Sequence, residues 1–374
     1  KAFSGAAQAG QKLEPHAVIL IRSQSVISEV TVMKTFVGLD VSQKKTSVCV
    51  IDHNGNKIRM ANVDTHPGVI ADYLFSEGFD KSKIGLETGP LCVWLYHSLK
   101  SFGLDIDCIH ARHVHAALSM QLNKTDQNDA FGIARLVLSG WYKPVHVKSL
   151  ECHQQRLILT SREKLVQLRV AVTNQIRGLL KTFGVVLPLG KNSVFEHAVL
   201  ESSPSLETIK PAVMMLLDTW EHLSGQIRKF NYMLEKLARN DPVCQILQSV
   251  PGVGVLTALS FKTSIDDPSR FRRVSDAGAF LGLTPKKYQS GEVDRNGGIS
   301  KQGNRMTRTL IYEAASCLLT RYGKDTSLAI WANELRHRMS YKKVIVALAR
   351  KLTTLMLSMW KSETFYNERL KAVN

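Results

Sequence analysis

Four carboxylates stand where they could support metal-dependent chemistry on phosphate. Asp40 lies inside the apolar run Phe36-Val37-Gly38-Leu39-Asp40-Val41, where a charge is costly without a partner. Glu87 closes the short run Ile84-Gly85-Leu86-Glu87, just before Thr88-Gly89. Asp126 and Asp129 are three residues apart in Thr125-Asp126-Gln127-Asn128-Asp129-Ala130, so a helix puts both on one face. Clustered carboxylates repel one another unless cations neutralise them. Hard oxygen ligands suit Mg²⁺, with Mn²⁺ as an alternative, and two such ions can clamp the attacking and leaving oxygens of a phosphodiester. Taken singly, Asp126 also reads as a helix cap and Glu87 as a solvated loop residue. Taken jointly, with the element order and the basic remainder of the chain, the four point to a metal site.

The elements that must position these residues read as follows. Phe36–Val41 and Thr46–Ile51 pattern as strands, and the Asn54-Gly55 turn leads into a third strand through Val63. Pro67 opens a helix, a fourth strand ends at Glu87, Pro90 opens a second helix, and a fifth strand spans Asp105 to His110. Two helical stretches follow, the second from Thr125 to Ser139. Three meandering strands followed by alternating helix and strand imply an α/β mixed sheet with helices on its faces. In such a sheet the first strand, the fourth strand and a late helix can converge at one edge.

From Glu151 the pattern becomes helical. Leu165, Leu168, Val172, Ile176, Leu179 and Phe183 recur at spacings of three and four, with a second such run from Val213 to Leu237. This pair reads equally as an antiparallel arm or oligomerisation coil, and as an internal hairpin covering a core. A third segment opens at Ser249-Val250-Pro251-Gly252-Val253-Gly254 and closes with helices near 307–321 and 340–360. The expected divisions are a leader or extension at 1–32, a catalytic domain at 33–150, a helical arm at 151–240 and a mainly α domain at 241–374.

Charge separates these regions. The 374 residues hold 49 Lys+Arg against 32 Asp+Glu, a formal charge of +17. Residues 1–32 contribute +1, 33–150 contribute +2 and 151–374 contribute +14. Nucleic acid is the polyanion that best fits such a balance, with the grip in the C-terminal half. A hydrophobic fraction of 44% excludes wholesale disorder. The six cysteines form no C-x-x-C pair, as in a reduced cytosolic protein without structural zinc. His110, His113 and His115 lack Cys or acidic partners at ligand spacing. No apolar run is long enough to span a membrane.

Gly38-Leu39-Asp40-Val41-Ser42, Leu86-Glu87-Thr88-Gly89 and Lys124-Thr125-Asp126-Gln127-Asn128-Asp129-Ala130 resemble the DEDD transposases of the insertion sequence 110 family. The stretches from Leu281 to Glu292 and from Gly297 to Asn304 resemble that family's second, transposase domain. The resemblance runs from Met33 to the C-terminal helices and implies a RuvC-like catalytic domain of the RNase H fold. It implies that Asp40, Glu87, Asp126 and Asp129 are the metal-binding tetrad and that Ser290 is the nucleophile forming a transient phosphoserine link to DNA. It further implies donor and target DNA as substrates and a structured bridge RNA as guide. It implies a homo-oligomer, dimer or tetramer, in which one subunit's serine completes another's metal site. A prokaryotic, cytoplasmic protein associated with the nucleoid and not with a membrane is expected.

Read from residues alone, Ser290 lies in a Gly-rich basic loop, and nothing adjacent in sequence supplies the base or metal its hydroxyl needs. Ser300 is the nearest rival, in a setting that suits a helix N-cap. Pro251-Gly252-Val253-Gly254 with Thr257-Ala258 resembles the hairpin of helix-hairpin-helix DNA-binding units, and Lys301, Arg305 and Arg308 are candidate phosphate contacts. A metal-only RuvC-like junction nuclease using water is the main alternative. A sugar-kinase or actin-like ATPase would need a second phosphate loop and an adenosine-binding glycine motif, and neither is found. The complete carboxylate set argues against a purely DNA-binding protein.

Overall fold

Two continuously buried runs, β1 (Phe36–Val41) and β2 (Lys45–Ile51), and the more exposed β3 (Lys57–Asp64) form the strands expected in the first part of the chain. Helix α1 (Pro67–Ser76), strand β4 (Lys83–Glu87), helix α2 (Cys92–Ser101), strand β5 (Asp105–Ile109) and helices α3 (Ala111–Leu118) and α4 (Asp126–Ser139) follow. The computed structural model describes residues 34–119, 125–202, 207–322 and 326–367. The expected leader at 1–32 and Lys124 of the third motif lie outside the described residues. The chain divides into two compact units, residues 1–145 and 146–374.

In the first unit the strand order is β3-β2-β1-β4-β5. β1 pairs antiparallel with β2 and β2 with β3, whereas β4 runs parallel to β1 and β5 parallel to β4. Helix α4 is the element that locks this sheet. It buries Ala130, Ile133, Ala134, Leu136 and Val137 against β1, β2 and β4. Its approach depends on two strand glycines. A Cβ on Gly38 would lie 2.0 Å from the Ala130 carbonyl oxygen and 2.5 Å from the Ala134 nitrogen. One on Gly85 would lie 2.4 Å from a Val137 methyl. Helix backbone therefore rests on strand backbone at Gly38, closer than any side chain there would allow.

The second unit is mostly helical. It comprises α5 (Leu150–Thr182), α6 (Asn192–Ser202), α7 (Lys210–Arg239), α8 (Pro242–Gln248), α9 (Val255–Ile265) and α10 (Asp276–Phe280). A two-stranded ribbon, β6 (Pro285–Ser290) and β7 (Val293–Ile299), precedes α11 (Arg305–Arg321), α12 (Ser327–Leu335) and α13 (Tyr341–Ser362). α5 and α7 pack on each other antiparallel. Arg162 Nε donates to Asn231 Oδ1 at 2.6 Å, and Trp220 Nε1 donates to Thr173 Oγ1 at 2.9 Å. The expected α5 stripe is only partly buried, however: Leu168, Leu179 and Phe183 are 41%, 36% and 51% exposed. One partner helix cannot cover a stripe that wide.

At the centre of this unit α9 is buried on all sides by α5, α7, α8 and α11. It carries hydroxyls into that interior. Ser260 Oγ and Ser264 Oγ lie 2.7 and 2.6 Å from Thr307 Oγ1 on α11, so each buried hydroxyl has a partner. No helix of the described residues is long and apolar enough to cross a membrane.

Candidate active site

Asp40 sits near the C-terminal end of β1, half-buried, paired across the sheet with Ser47. The parallel register aligns Leu39 with Leu86, which brings Glu87, at the end of β4, level with Asp40 at the same end of the sheet. The direction of α4 does the rest. Leu138, near its C-terminus, lies against Gly55 in the β2–β3 turn, and Ile51 before that turn pairs with Phe36 at the start of β1. Helix α4 therefore runs antiparallel to β1, and its first turn, with Asp126 and Asp129, stands at the end that carries Asp40 and Glu87.

Local chemistry fixes that first turn. Thr125 Oγ1 accepts the Asn128 N–H at 3.2 Å, so Thr125, and not Asp126, is the cap. Acidic residues in the first turn are favoured by the helix dipole, and Gly140, at φ 64°, ends the helix in the left-handed conformation.

The sheet sorts its acids by end. At the opposite end Asp105 and Asp107 are held by Lys83, at 2.9 and 3.1 Å. Burial raises the Asp105 carboxyl, but the hydrogen bond and charge of Lys83 outweigh it and hold it below the usual range. Burial, reinforced by the neighbouring Asp107 carboxylate, pushes the Tyr142 phenol up as it donates to Asp107 Oδ2 at 2.7 Å. Those carboxylates are structural. Among the described residues no three His, Cys, Asp or Glu side chains come together as a metal-ligand group. The backbone thus brings the four candidate positions to one sheet end without drawing three side chains into a cluster.

Ser290 belongs to the second unit, and its surroundings differ from the expected loop. It is the last residue of β6, opposite Val293, with Gly291 at φ 54° in the tight turn. Every residue of β6 is exposed. A strand exposed on both faces has no apolar alternation to betray it, which is why the sequence reads as a loop. On the face of Ser290 stand Tyr288 and, opposite it, Arg295, while on the other face Lys287 lies 3.2 Å from Asp294.

Four further expectations resolve locally. Ser300 is not the cap of α11: Asn304 Oδ1 accepts the Thr307 N–H at 3.0 Å. Arg308 gives its guanidinium to the carbonyls of Leu281 and Gln302, both at 3.1 Å, and so ties a loop, whereas Lys301 and Arg305 stay exposed. Of the two glycines between α8 and α9, Gly252 (φ 87°) serves packing, since a Cβ there would meet the Ala314 carbonyl at 2.7 Å. Gly254, at the start of α9, faces open space. His110 Nδ1 accepts the Arg112 N–H and caps α3.

A mixed α/β unit with acids at one sheet end, followed by a mostly helical region, defines the class: the architecture is consistent with a DEDD nuclease-like transposase. Residues 37–184 match the family described as "Transposase", and residues 244–330 match "Transposase IS116/IS110/IS902 family". The transposase for insertion sequence element IS1111A of Coxiella burnetii is 29% identical over 337 residues, 88% of this chain and 90% of that protein. A probable family 20 transposase of Pseudomonas aeruginosa is 30% identical over 251 residues, 65% of this chain and 74% of that protein. The pilin gene-inverting protein of Moraxella bovis is 20% identical over 347 residues, 90% of this chain and 99% of that protein. The chain belongs to the IS110 family of insertion-sequence transposases and is a DNA transposase.

Proposed function

We propose that this transposase cleaves and exchanges DNA strands with a divalent cation, Mg²⁺ or Mn²⁺, and Ser290 as nucleophile. Asp40, Glu87, Asp126 and Asp129 would hold the metal, in a RuvC-like domain of the RNase H fold. The observation that carries this is the convergence of β1, β4 and the first turn of α4 at one sheet end in a chain of a DNA-transposase family. The donor chemistry fits: four carboxylate side chains are the hard oxygen ligands such cations take. When bound, the metal supplies charge neutralisation at the phosphodiester.

Ser290 Oγ attacks phosphorus, loses its proton and forms a phosphoserine bond as one P–O bond to a deoxyribose breaks. The departing sugar oxygen takes up a proton. The hydroxyl of the exchanged strand then attacks the phosphoserine and restores Ser290, so no water is consumed. The relative named for inverting a pilin gene suits such an exchange between two sites. Arg295, on the Ser290 face of the ribbon, orients the phosphate. A bridge RNA selects donor and target DNA. A homo-oligomer, dimer or tetramer, brings the serine-bearing domain of one subunit to the carboxylates of another. The α8–α9 turn acts as a helix-hairpin-helix-like contact, through Gly254 rather than Gly252.

The decisive experiment traps the reaction with denaturant, digests it with protease and seeks a phosphoserine peptide. Ser290→Ala should lose the adduct and strand exchange while keeping nucleic-acid binding. Ser300→Ala should retain both. Normal cutting by Ser290→Ala, with no adduct in the parent protein, would overturn the serine mechanism in favour of a water-using nuclease.

A further inference from the structure

Some cations of the second unit are held by partners, while others, Lys301 and Arg305 among them, stand exposed and outside the ion pairs of the described residues. Most of those near acids are already engaged: Lys262 is paired with Asp241, Arg273 lies 3.4 Å from Asp276 and Lys287 3.2 Å from Asp294. Arg177 and Arg308 are committed to backbone carbonyls. Arg336, Arg338, Lys342 and Lys343 are different. All four are exposed, and the stretch 336–343 contains no acidic residue. Among the described residues none of the four joins an ion pair.

The cluster is also built on anchored backbone. The amides of Arg336 and Arg338 donate to the carbonyls of Asn333 and Leu335, so the turn continues α12. Directly after Lys343, Val344, Ile345 and Leu348 are buried and hold α13 in the core of the second unit. The guanidinium of Arg336 lies 5.7 Å from the ring centroid of Tyr341, which is itself 42% exposed. An aromatic face beneath a guanidinium restricts where that charge points and leaves its N–H groups outward. Four like charges within the stretch 336–343, with no acid among them, repel one another, a cost that an extended polyanion removes. The four cations are exposed and spread from the end of α12 to the start of α13, which suits a line of phosphates better than a single small anion.

We propose that Arg336, Arg338, Lys342 and Lys343, with Tyr341, form a docking surface for the phosphate backbone of duplex DNA. It lies beyond both matched transposase regions, 37–184 and 244–330. DNA is the polymer a transposase acts on, and no base-reading geometry is needed: contact is to backbone and independent of sequence. The proposal rests on the chain's action on DNA, and on neither Ser290 nor the carboxylates.

The test uses the full chain and short duplexes of scrambled sequence, with affinity read by fluorescence anisotropy across a salt series. Replacing all four cations by Gln should flatten the dependence of log affinity on log salt by about three to four, as expected for four lost phosphate contacts. The charge-keeping set Arg336→Lys, Arg338→Lys, Lys342→Arg and Lys343→Arg should retain the parent slope. If the fourfold variant does not fold, the pairs R336Q/R338Q and K342Q/K343Q should each remove about half of the change. Unchanged affinity and slope would overturn the proposal. So would a loss seen only with structured RNA, or a changed oligomeric state with DNA binding intact, which would assign the surface to RNA or to another protein chain. The assay reads binding and its salt dependence without cleavage, so failure of the serine mechanism leaves the result readable.

Discussion

In the first unit α4 lies on the sheet backbone to backbone, over Gly38 and beside Gly85. In the second, α9 is surrounded by helices and joined to α11 through the hydroxyls of Ser260, Ser264 and Thr307. The first interior is closed where helix backbone meets strand backbone too closely for any side chain at Gly38. The second is held partly by directional polar bonds, among them the Lys148 ammonium on the Thr263 carbonyl and Arg308 on Leu281 and Gln302. Candidate chemistry follows the same split. The carboxylates stand on strand ends and a helix turn fixed by that contact, whereas Ser290 stands on a ribbon exposed throughout β6. On the proposed reading, carboxylates that hold cations need rigid elements and a nucleophile that meets DNA needs access.

The largest expected effect breaks the chemistry without touching either interior. Asp40→Ala, and likewise Glu87→Ala, Asp126→Ala and Asp129→Ala, should abolish metal-dependent DNA cleavage. Thermal melting should stay near that of the parent, because none of the four is a core residue. Full activity in Asp40→Ala would sink the tetrad. Next comes the close contact itself. Gly38→Val forces α4 off the sheet, since the first added carbon already collides with backbone at 2.0 Å. The cost should exceed the roughly 1–3 kcal/mol of ordinary overpacking. By contrast Gly89→Ala, where no atom lies within 4 Å, should stay within about 0.5 kcal/mol in the same melts. Equal losses for the two would show that the contact is not what holds the carboxylate end in place.

In the second unit Thr307→Val keeps shape but strips Ser260 and Ser264 of their shared partner. A loss of about 1–3 kcal/mol in denaturant titration is expected. Adding Ser260→Ala and Ser264→Ala should recover part of it, because the unpaired hydroxyls go too. The smallest effect is a pH slope. Burial lowers the Lys148 ammonium to about 8 from the model-peptide 10.5. The unfolded chain then binds more protons above pH 8, so stability should rise between about pH 8 and 9, by at most about 1.4 kcal/mol per pH unit. Above pH 9 the rise is opposed, since burial pushes the Cys152 thiol up to about 11 and the unfolded chain loses that proton first. Lys148→Met should flatten the rise between pH 8 and 9; a persistent slope would mean another group carries it.

The sheet was legible because β1, β2, β4 and β5 carry short apolar runs bounded by turn residues, and Thr125-Asp126 announces a capped helix with acids in its first turn. The β6–β7 ribbon was not, because Lys286, Lys287 and Gln289 give neither face an apolar pattern. Periodicity on α5 marked Leu168, Leu179 and Phe183 as interior when only part of that face meets α7. Asn304 rather than Ser300 caps α11, a choice between two polar residues that local preference alone does not make. The α9 hydroxyls carried no signal at all: Ser and Thr read as surface until a partner such as Thr307 is seen.

Residue type and spacing along the chain settle the inventory: four carboxylates at the ends of strands and in a helix turn, a basic C-terminal half, and motifs that place the chain in its transposase family. These are local, and each follows from the chemistry of a few neighbouring side chains. That β4 lies parallel beside β1, and that α4 runs antiparallel to both, are decisions of tertiary structure. They depend on hydrogen-bond register and on the fit of Ala130 and Ala134 over Gly38, contacts between residues roughly ninety positions apart. Only that packing turns four scattered acids into residues at one end of one sheet.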